Sequence, residues 1–186
     1  DDARRGELEA EALTLPSLVM SSAAAANAVM MGAGYFTPLT GYMNRADAVS
    51  VAENMRTSDG LFWPVPVVNL TESCPVEAGQ RLALTDPNRE GHPLLAVMTV
   101  DAIETLSDED VAMILDKVFR TDDPEHPGVA AFTAQSRTVI SGPIEVLNYS
   151  YFEEDFPDTF RTAMAIRSEI AERGWERVVA FQTRNP

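Results

Sequence analysis

The chain has 186 residues, an apolar content of 45% and a formal net charge of −15, which indicates a globular protein with a buried core and not a disordered one. The acidic excess disfavours nucleic acid and anionic membrane surfaces as partners. No apolar run approaches the roughly 20 residues that cross a bilayer, and the single cysteine, Cys74, excludes an internal disulfide. We therefore expect a cytoplasmic protein.

Three helices are predicted in the first third of the chain. Residues rich in Glu, Leu and Ala favour the first helix, and Ser21 and Ser22 can cap the second. The second is almost uncharged, so we expect it to be buried or to pack against a partner. In chain order, the three predicted helices cover 4–13, 23–31 and 46–55.

The residues up to about 150 predict a small β-rich domain with helical additions, and a barrel is one form that such a domain takes. A turn at Asp59-Gly60 leads into the apolar stretch 61–70, where two prolines favour an edge strand or a bulge. Ser107 can cap a helix whose first turn is acidic. The other predicted strands cover 81–84, 94–103, 138–140 and 144–147, and the helices of this region cover 108–119 and 129–135.

The pattern changes after about residue 150. The aromatic and acidic stretch 149–160 is typical of a linker that lies on a surface. An amphipathic helix follows over 162–173, with Gly174 as its C-terminal cap. The apolar run Val178–Phe181 predicts a strand buried on both faces. A helix, a glycine and a buried strand in succession mark the start of an α/β domain.

The last residues of the chain are the main candidates for chemistry. They follow the predicted strand directly, where open α/β sheets bind their ligands. Arg184 supplies a planar fork that matches a tetrahedral oxyanion, and Gln182, Thr183 and Asn185 add neutral polar groups. A polar turn that ends the strand is the alternative explanation, and taken alone these residues favour the turn.

The loop 121–128 holds His126 beside three carboxylates and is a second candidate, for a metal site. Ligands this crowded on a loop bounded by prolines rarely complete a coordination sphere, so we expect a rigid turn with Asp capping the backbone. We assign no metal ligand in this chain. Cys74 has no basic neighbour to activate its thiol and is expected to be inert.

The segment Ala180–Pro186, AFQTRNP, resembles the start of the active-site signature of the ATP sulfurylase (sulfate adenylyltransferase) family. Several other blocks fit that family in the same order, and together they extend the resemblance over about residues 30–186. They are GYFTPLTGYMN at 34–44, ENMR at 53–56, DG at 59–60, WP at 63–64, TDDPEHPGV at 121–129, GP at 142–143 and RGW at 173–175.

The resemblance implies a mixed α and β chain in two parts. A PUA-like β-barrel domain with helical decorations is expected over 1–154. The first helix and strand of a Rossmann-like nucleotidyltransferase domain are expected over 155–186. The family signature continues into two histidines at H-x-x-H spacing that this chain does not contain. We therefore predict that these 186 residues alone do not adenylate sulfate.

The implied activity joins ATP and sulfate to give adenosine 5′-phosphosulfate and pyrophosphate. Gln182 and Arg184 match the positions that hold sulfate, and Thr183, Arg184 and Asn185 match those with catalytic roles. The stretch Gln182–Asn185 also borders ATP. Mg²⁺ is expected with ATP and pyrophosphate, and the full-length protein is expected to be a homo-oligomer.

A different class of function remains open from the residues alone. The β-domain is then a non-catalytic module for binding or for subunit assembly. PUA-like barrels can bind RNA, but a net charge of −15 disfavours that here. Subunit contact through the uncharged helix over 23–31 is the more plausible form of this alternative. A fusion of the parent protein to an APS kinase also stays open.

Overall fold

A computed structural model describes residues 2–182. Its helices are α1 (Asp2–Ala12), α2 (Ser22–Gly32), α3 (Arg45–Asn54), α4 (Asp108–Ile114), α5 (Pro127–Thr133), α6 (Phe152–Asp155) and α7 (Ala163–Glu172), with a π-helix at Leu115–Phe119. Its strands are β1 (Ser17–Val19), β2 (Gly41–Tyr42), β3 (Leu70–Thr71), β4 (Arg81–Thr85), β5 (Leu94–Thr99), β6 (Ala102–Thr105) and β7 (Thr138–Val146). None of the described helices is both long enough and apolar enough to cross a bilayer.

The strands form one curled sheet that is organised around β7. The main path runs β1-β4-β5-β7-β2, and β3 and β6 also pair with β7. The first half of β7 pairs with β6 and β3, and its second half pairs with β5, all antiparallel. Strand β1 instead runs parallel to β4 at the other edge. One strand with two sets of partners curls the sheet into a half-barrel, and this sheet with the helices packed on it is called the barrel below.

A close approach of two glycines lets β7 bend without breaking. Gly142 has φ +137°, and a Cβ there would lie 2.1 Å from the carbonyl oxygen of Thr99. Gly41 pairs with Pro143 beside it, and its own Cβ would lie 1.9 Å from the carbonyl oxygen of Gly142. The two strands predicted at 138–140 and 144–147 are therefore one strand, because glycine allows the chain to continue where a turn was expected.

Helix α2 lies in the core, as its lack of charge predicted. Ser21 caps it by accepting from the Ala24 amide at 3.2 Å. The Tyr42 hydroxyl donates to the Ala24 carbonyl at 2.7 Å, and burial raises the pKa of this tyrosine. The main core combines the small residues of α2 with large side chains from the sheet, including Ala25, Ala28, Val29, Leu82, Leu84, Leu95 and Met98.

Helix α4 begins at the cap predicted for it. The Ser107 hydroxyl accepts from the Asp110 amide at 3.1 Å, and the Asp110 carboxylate accepts from the Ser107 amide at 2.7 Å. Arg45 closes the arrangement with two hydrogen bonds to Asp110, of 2.6 and 3.0 Å. The hydrogen bond from Arg45, together with those from Ser107, lowers the pKa of Asp110 despite its burial.

Three further predicted elements, in the middle of the chain, differ from the structure. The edge strand at 61–70 is reduced to Leu70–Thr71 at its end, since prolines at 64 and 66 remove the amide donors a strand needs. The strand at 94–103 is two strands, β5 and β6, that pair with different halves of β7. The helix at 108–119 changes from α to π after Ile114.

The strand predicted at Val178–Phe181 is wrong. The structure gives residues 178–182 no regular secondary structure. Val179 is 78% exposed and Phe181 is 91% exposed. A strand buried on both faces needs neighbouring strands and covering helices, and none of the described strands pairs with this run.

Candidate functional site

The predicted site residues lie at the end of the described chain. Gln182 is exposed and has no regular secondary structure. Thr183, Arg184 and Asn185 lie outside the described residues. The structure therefore describes helix α7 and the residues that follow it up to Gln182. It does not describe the rest of the predicted site.

Helix α7 is defined at both ends by its own sequence. Thr162 caps its start, where its hydroxyl accepts from the Ala165 amide at 3.1 Å. At its end, Gly174 takes φ +64° and donates to the Ala171 carbonyl, while the Trp175 amide donates to the Ile170 carbonyl. This pair of bonds is the Schellman motif, which ends a helix on a glycine and turns the chain away. The predicted amphipathic helix and its glycine cap are both confirmed.

The charge of this region is opposite to that of the chain. Residues 161–186 contain five arginines and three glutamates, a net charge of +2, within a chain of −15. Glu169 pairs with Arg161 and Arg173, and the Arg173 guanidinium lies 4.9 Å from the centre of the Trp175 ring. Arg167 and Arg177 have no ion pair within residues 2–182. Without Arg184, residues 161–182 contain four arginines and three glutamates, a net charge of +1, so this stretch of the chain is slightly basic and not acidic.

An aromatic cluster joins this region to the barrel. Phe160 lies 5.2 Å from Tyr149 and 5.8 Å from Phe152, measured between ring centres. Tyr149 and Phe152 in turn pack against the main core. Arg89 ties the same stretch to the β4–β5 loop through the Ser150 carbonyl at 3.0 Å and the Glu154 carboxylate at 2.7 Å. The stretch 149–160 lies on the barrel surface, as the sequence predicted.

A cleft of about 330 Å³ opens at the bend of β7, and sequence reasoning did not find it. Segments of the motif at 34–44 line it together with Gly142 and Pro143. Its charged side chains are the carboxylates of Asp47, Asp59 and Asp101. Hydrogen bonds from the Thr57 hydroxyl and the Leu61 amide lower the pKa of Asp59. An acidic cleft of this kind does not suit sulfate or a phosphate chain.

The loop 121–128 contains the Asp cap that the sequence predicted, and His126 caps helix α5 as well. Its Nδ1 accepts from the Val129 amide at 3.3 Å and caps α5. Asp123 accepts from the Glu125 amide at 2.9 Å, which is the backbone cap expected of an Asp in this turn. Within the described part of the chain, no group of three or more His, Cys, Asp or Glu residues is arranged to hold a metal ion. Cys74 is a free thiol, half-buried against the core.

The profile of the PUA-like domain matches residues 1–149, so the chain belongs to the PUA-like domain family. Its curled sheet with helical additions agrees with that assignment. The match ends where the aromatic stretch begins, and α7 and the predicted site residues lie beyond it.

Curated relatives confirm the resemblance that the motifs predicted. Sulfate adenylyltransferase from Alcanivorax borkumensis is 61% identical over 187 residues, covering 100% of this chain and 47% of the relative. The protein of the same name from Allochromatium vinosum is 58% identical, with the same coverage. The chain thus spans about half the length of the curated relatives it matches.

A solved structure is also similar over the whole chain. It is described as a hexameric APS kinase from Thiobacillus denitrificans. It aligns with a TM-score of 0.73 at 26% identity and covers 100% of this chain and 32% of that one.

Proposed function

We propose that this chain is the N-terminal portion of a sulfate adenylyltransferase, with a PUA-like domain over 1–154 and the start of a Rossmann-like catalytic domain over 155–186. The observation that carries the proposal is the 61% identity to a sulfate adenylyltransferase along the whole chain. The positive charge of residues 161–186 in an acidic protein supports it, because both substrates are anions.

The reaction transfers an adenylyl group without a general base. A sulfate oxygen forms a bond to the α-phosphorus of ATP, and the bond from that phosphorus to the pyrophosphate oxygen breaks. Sulfate is a dianion and a poor nucleophile, so the protein must position it and neutralise charge. Mg²⁺ accompanies ATP and pyrophosphate as part of the substrate.

The residues at the end of the chain suit these tasks. Arg184 neutralises sulfate and the charge that develops between the two anions, and Gln182 adds a neutral donor to sulfate. Asn185 donates to an oxygen of the α- or β-phosphate, and Thr183 completes the polar segment that borders ATP. The neutral side chains add hydrogen bonds without charge, and the single arginine supplies the positive charge that attracts both anions.

The proposal extends to assembly. The neighbouring solved structure is described as hexameric, and we propose that the full-length protein is likewise a homo-oligomer that binds small anions and not nucleic acid. Light scattering on the longer protein measures the oligomeric state, and a filter-binding assay with RNA tests the non-catalytic alternative. Retention of RNA at physiological salt contradicts this part of the proposal.

The main experiment measures sulfate-dependent pyrophosphate release. We expect no turnover from the 186-residue chain and clear turnover when the chain is joined to the remaining sequence of the Alcanivorax borkumensis relative. In that longer protein, Arg184→Lys removes the guanidinium fork and is expected to lower kcat/KM by about 100-fold.

The matched control is Arg167→Lys. It makes the same chemical change on the exposed surface of α7, where the described structure gives the guanidinium no ion pair. It is expected to retain activity within about 2-fold. Robust turnover by the short chain contradicts the prediction that these 186 residues alone do not adenylate sulfate, and equal losses in both variants contradict the role of Arg184.

A further inference from the structure

Helix α1 covers the outer face of the sheet, which is the face turned away from the main core. Successive residues of a strand point to opposite faces, and the residues on either side of Val97 belong to the main core. Val97 therefore points outward, as does Ala83, which lies opposite it on β4. Leu8 and Ala12 of α1 are buried with Ala83, Val97 and Leu147 in a second, smaller core cluster.

Most of α1 faces solvent. Within residues 3–12, Leu8 and Ala12 are buried and Glu11 is half-buried, whereas the other side chains are exposed. The helix has 11 residues and contains Gly6, and a helix of that length with an internal glycine is marginal on its own in water. Two buried side chains give it a small apolar contact, so its attachment also depends on polar contacts with the sheet.

Four charged side chains of alternating sign, called the charge row below, tie α1 to the sheet. Their order is Arg4, Glu145, Arg81 and Glu11, with the outer two on α1 and the inner two on β7 and β4. Arg4 donates to Glu145 at 2.8 and 3.1 Å. Arg81 lies 3.1 Å from Glu145 and 2.7 Å from Glu11. Glu145 is thus the carboxylate that both arginines share.

The surroundings of Glu145 keep it ionised. Burial raises its pKa, but the hydrogen bonds from the two arginines lower it by more, so the pKa lies below the ordinary value of a glutamate. Glu7 also reaches Arg4, at 3.4 Å from the same helix. Arg5 and Glu153 line the depression beside Glu145 with opposite charges. The charge row is therefore intact at neutral pH.

We propose that α1 is a strap that opens from the sheet as a unit, and that the charge row sets how often it opens. Opening uncovers Ala83, Val97 and Leu147 on the outer face, while the main core on the inner face stays closed. Charged contacts weaken as salt rises, since the Debye length falls to about 3 Å at 1 M. The strap therefore responds to ionic strength. This device goes beyond the proposed function and does not depend on it.

Amide hydrogen exchange at pH 7 and low salt tests the strap. In Glu145→Gln, the Leu8 amide is expected to exchange about 5-fold faster than in the wild-type chain. The Ile140 amide, which donates to the Asn69 carbonyl, is expected to be unchanged. Glu153→Gln is the control, because it makes the same change in the same depression without an ion pair to another described residue. Equal exchange at Leu8 in all three proteins overturns the charge row, and an equal rise at Ile140 overturns opening as a unit.

Salt and pH separate the charges from the apolar contact. Sodium chloride at about 1 M is expected to speed exchange at Leu8 about 5-fold in the wild type and about 2-fold in Glu145→Gln, which has already lost the shared carboxylate. The stability that Glu145 supplies is complete above about pH 4.3, the ordinary Glu pKa, and declines below it. The protection of Leu8 in the two proteins is therefore expected to converge toward pH 3. An equal salt response in both, or a difference that does not narrow in acid, overturns the proposal.

Discussion

The barrel and the C-terminal segment 163–182 are built in different ways. In the barrel, Leu82, Leu84 and Leu95 are fully buried between strands and helices distant in sequence. In the C-terminal segment no helical residue is buried, and Phe181 is 91% exposed. Helix α7 nevertheless forms, because Thr162 and Gly174 satisfy its ends locally. Local signals are sufficient for a helix, whereas a strand needs partners.

The largest expected effect is at the bend of β7, which holds the barrel together. Gly142→Ala places a methyl group 2.1 Å from the Thr99 carbonyl oxygen at a φ that side chains rarely adopt. We expect a loss of about 3–5 kcal/mol in the free energy of unfolding, from backbone strain and overpacking combined. Urea denaturation measures it.

Gly79→Ala is the control for this variant. Gly79 also has a positive φ, of +88°, but nothing lies near its missing Cβ. It is expected to cost about 1 kcal/mol, from the backbone conformation alone. If the two variants lose similar amounts of unfolding free energy, the close approach at Gly142 does not explain the shape of the sheet.

A smaller effect is expected where α4 joins the barrel. Asp110→Ala removes both the cap bonded to Ser107 and the partner of Arg45. The expected cost is about 1–2 kcal/mol, mainly from the lost cap and its hydrogen bonds. Asp108→Ala removes an exposed ion pair with Arg137 from the same helical turn and is expected to change stability by at most about 0.5 kcal/mol. Thermal unfolding measures both variants, and a larger loss of stability in Asp108→Ala than in Asp110→Ala contradicts this prediction.

The same carboxylate gives the barrel a pH dependence. Because the hydrogen bond from Arg45 lowers the pKa of Asp110 in the folded state, the unfolded state binds its proton first as pH falls. Its contribution is complete above about pH 4, the ordinary Asp pKa, and declines below it. Asp110→Asn should be less stable than the wild type at pH 7, and the two should converge toward pH 2. A constant difference across this range contradicts the assignment.

The caps explain how far the sequence predicted the fold. Ser21, Ser107 and Gly174 each marked a helix end correctly, because a cap depends on neighbours within a few residues. The single course of β7 was missed, because it depends on the meeting of Gly41 and Gly142, a hundred residues apart in the chain. The acidic cleft was missed for the same reason, since its carboxylates come from three separate segments.

The site is a different case. Its residues were predicted from a motif, and Thr183, Arg184 and Asn185 lie outside the described residues, so their roles stay predictions. What the structure adds is the segment before them: a capped helix and its contact with the loop 33–37 at the helix start. No sequence pattern predicts that the Tyr35 hydroxyl meets the Arg161 carbonyl, because 126 residues separate them.

The smallest expected effect lies in the exposed segment itself. Phe181→Ser is expected to change the unfolding free energy of this chain by less than about 0.5 kcal/mol, because the ring is already 91% exposed. Leu84→Ala in the core is expected to cost about 2–5 kcal/mol. In the longer protein, Phe181→Ser should become costly, by about 2 kcal/mol, if a second domain covers the ring. Unfolding measured in both lengths decides this, and an unchanged small effect in the longer protein means that Val178–Phe181 is not a buried strand there either.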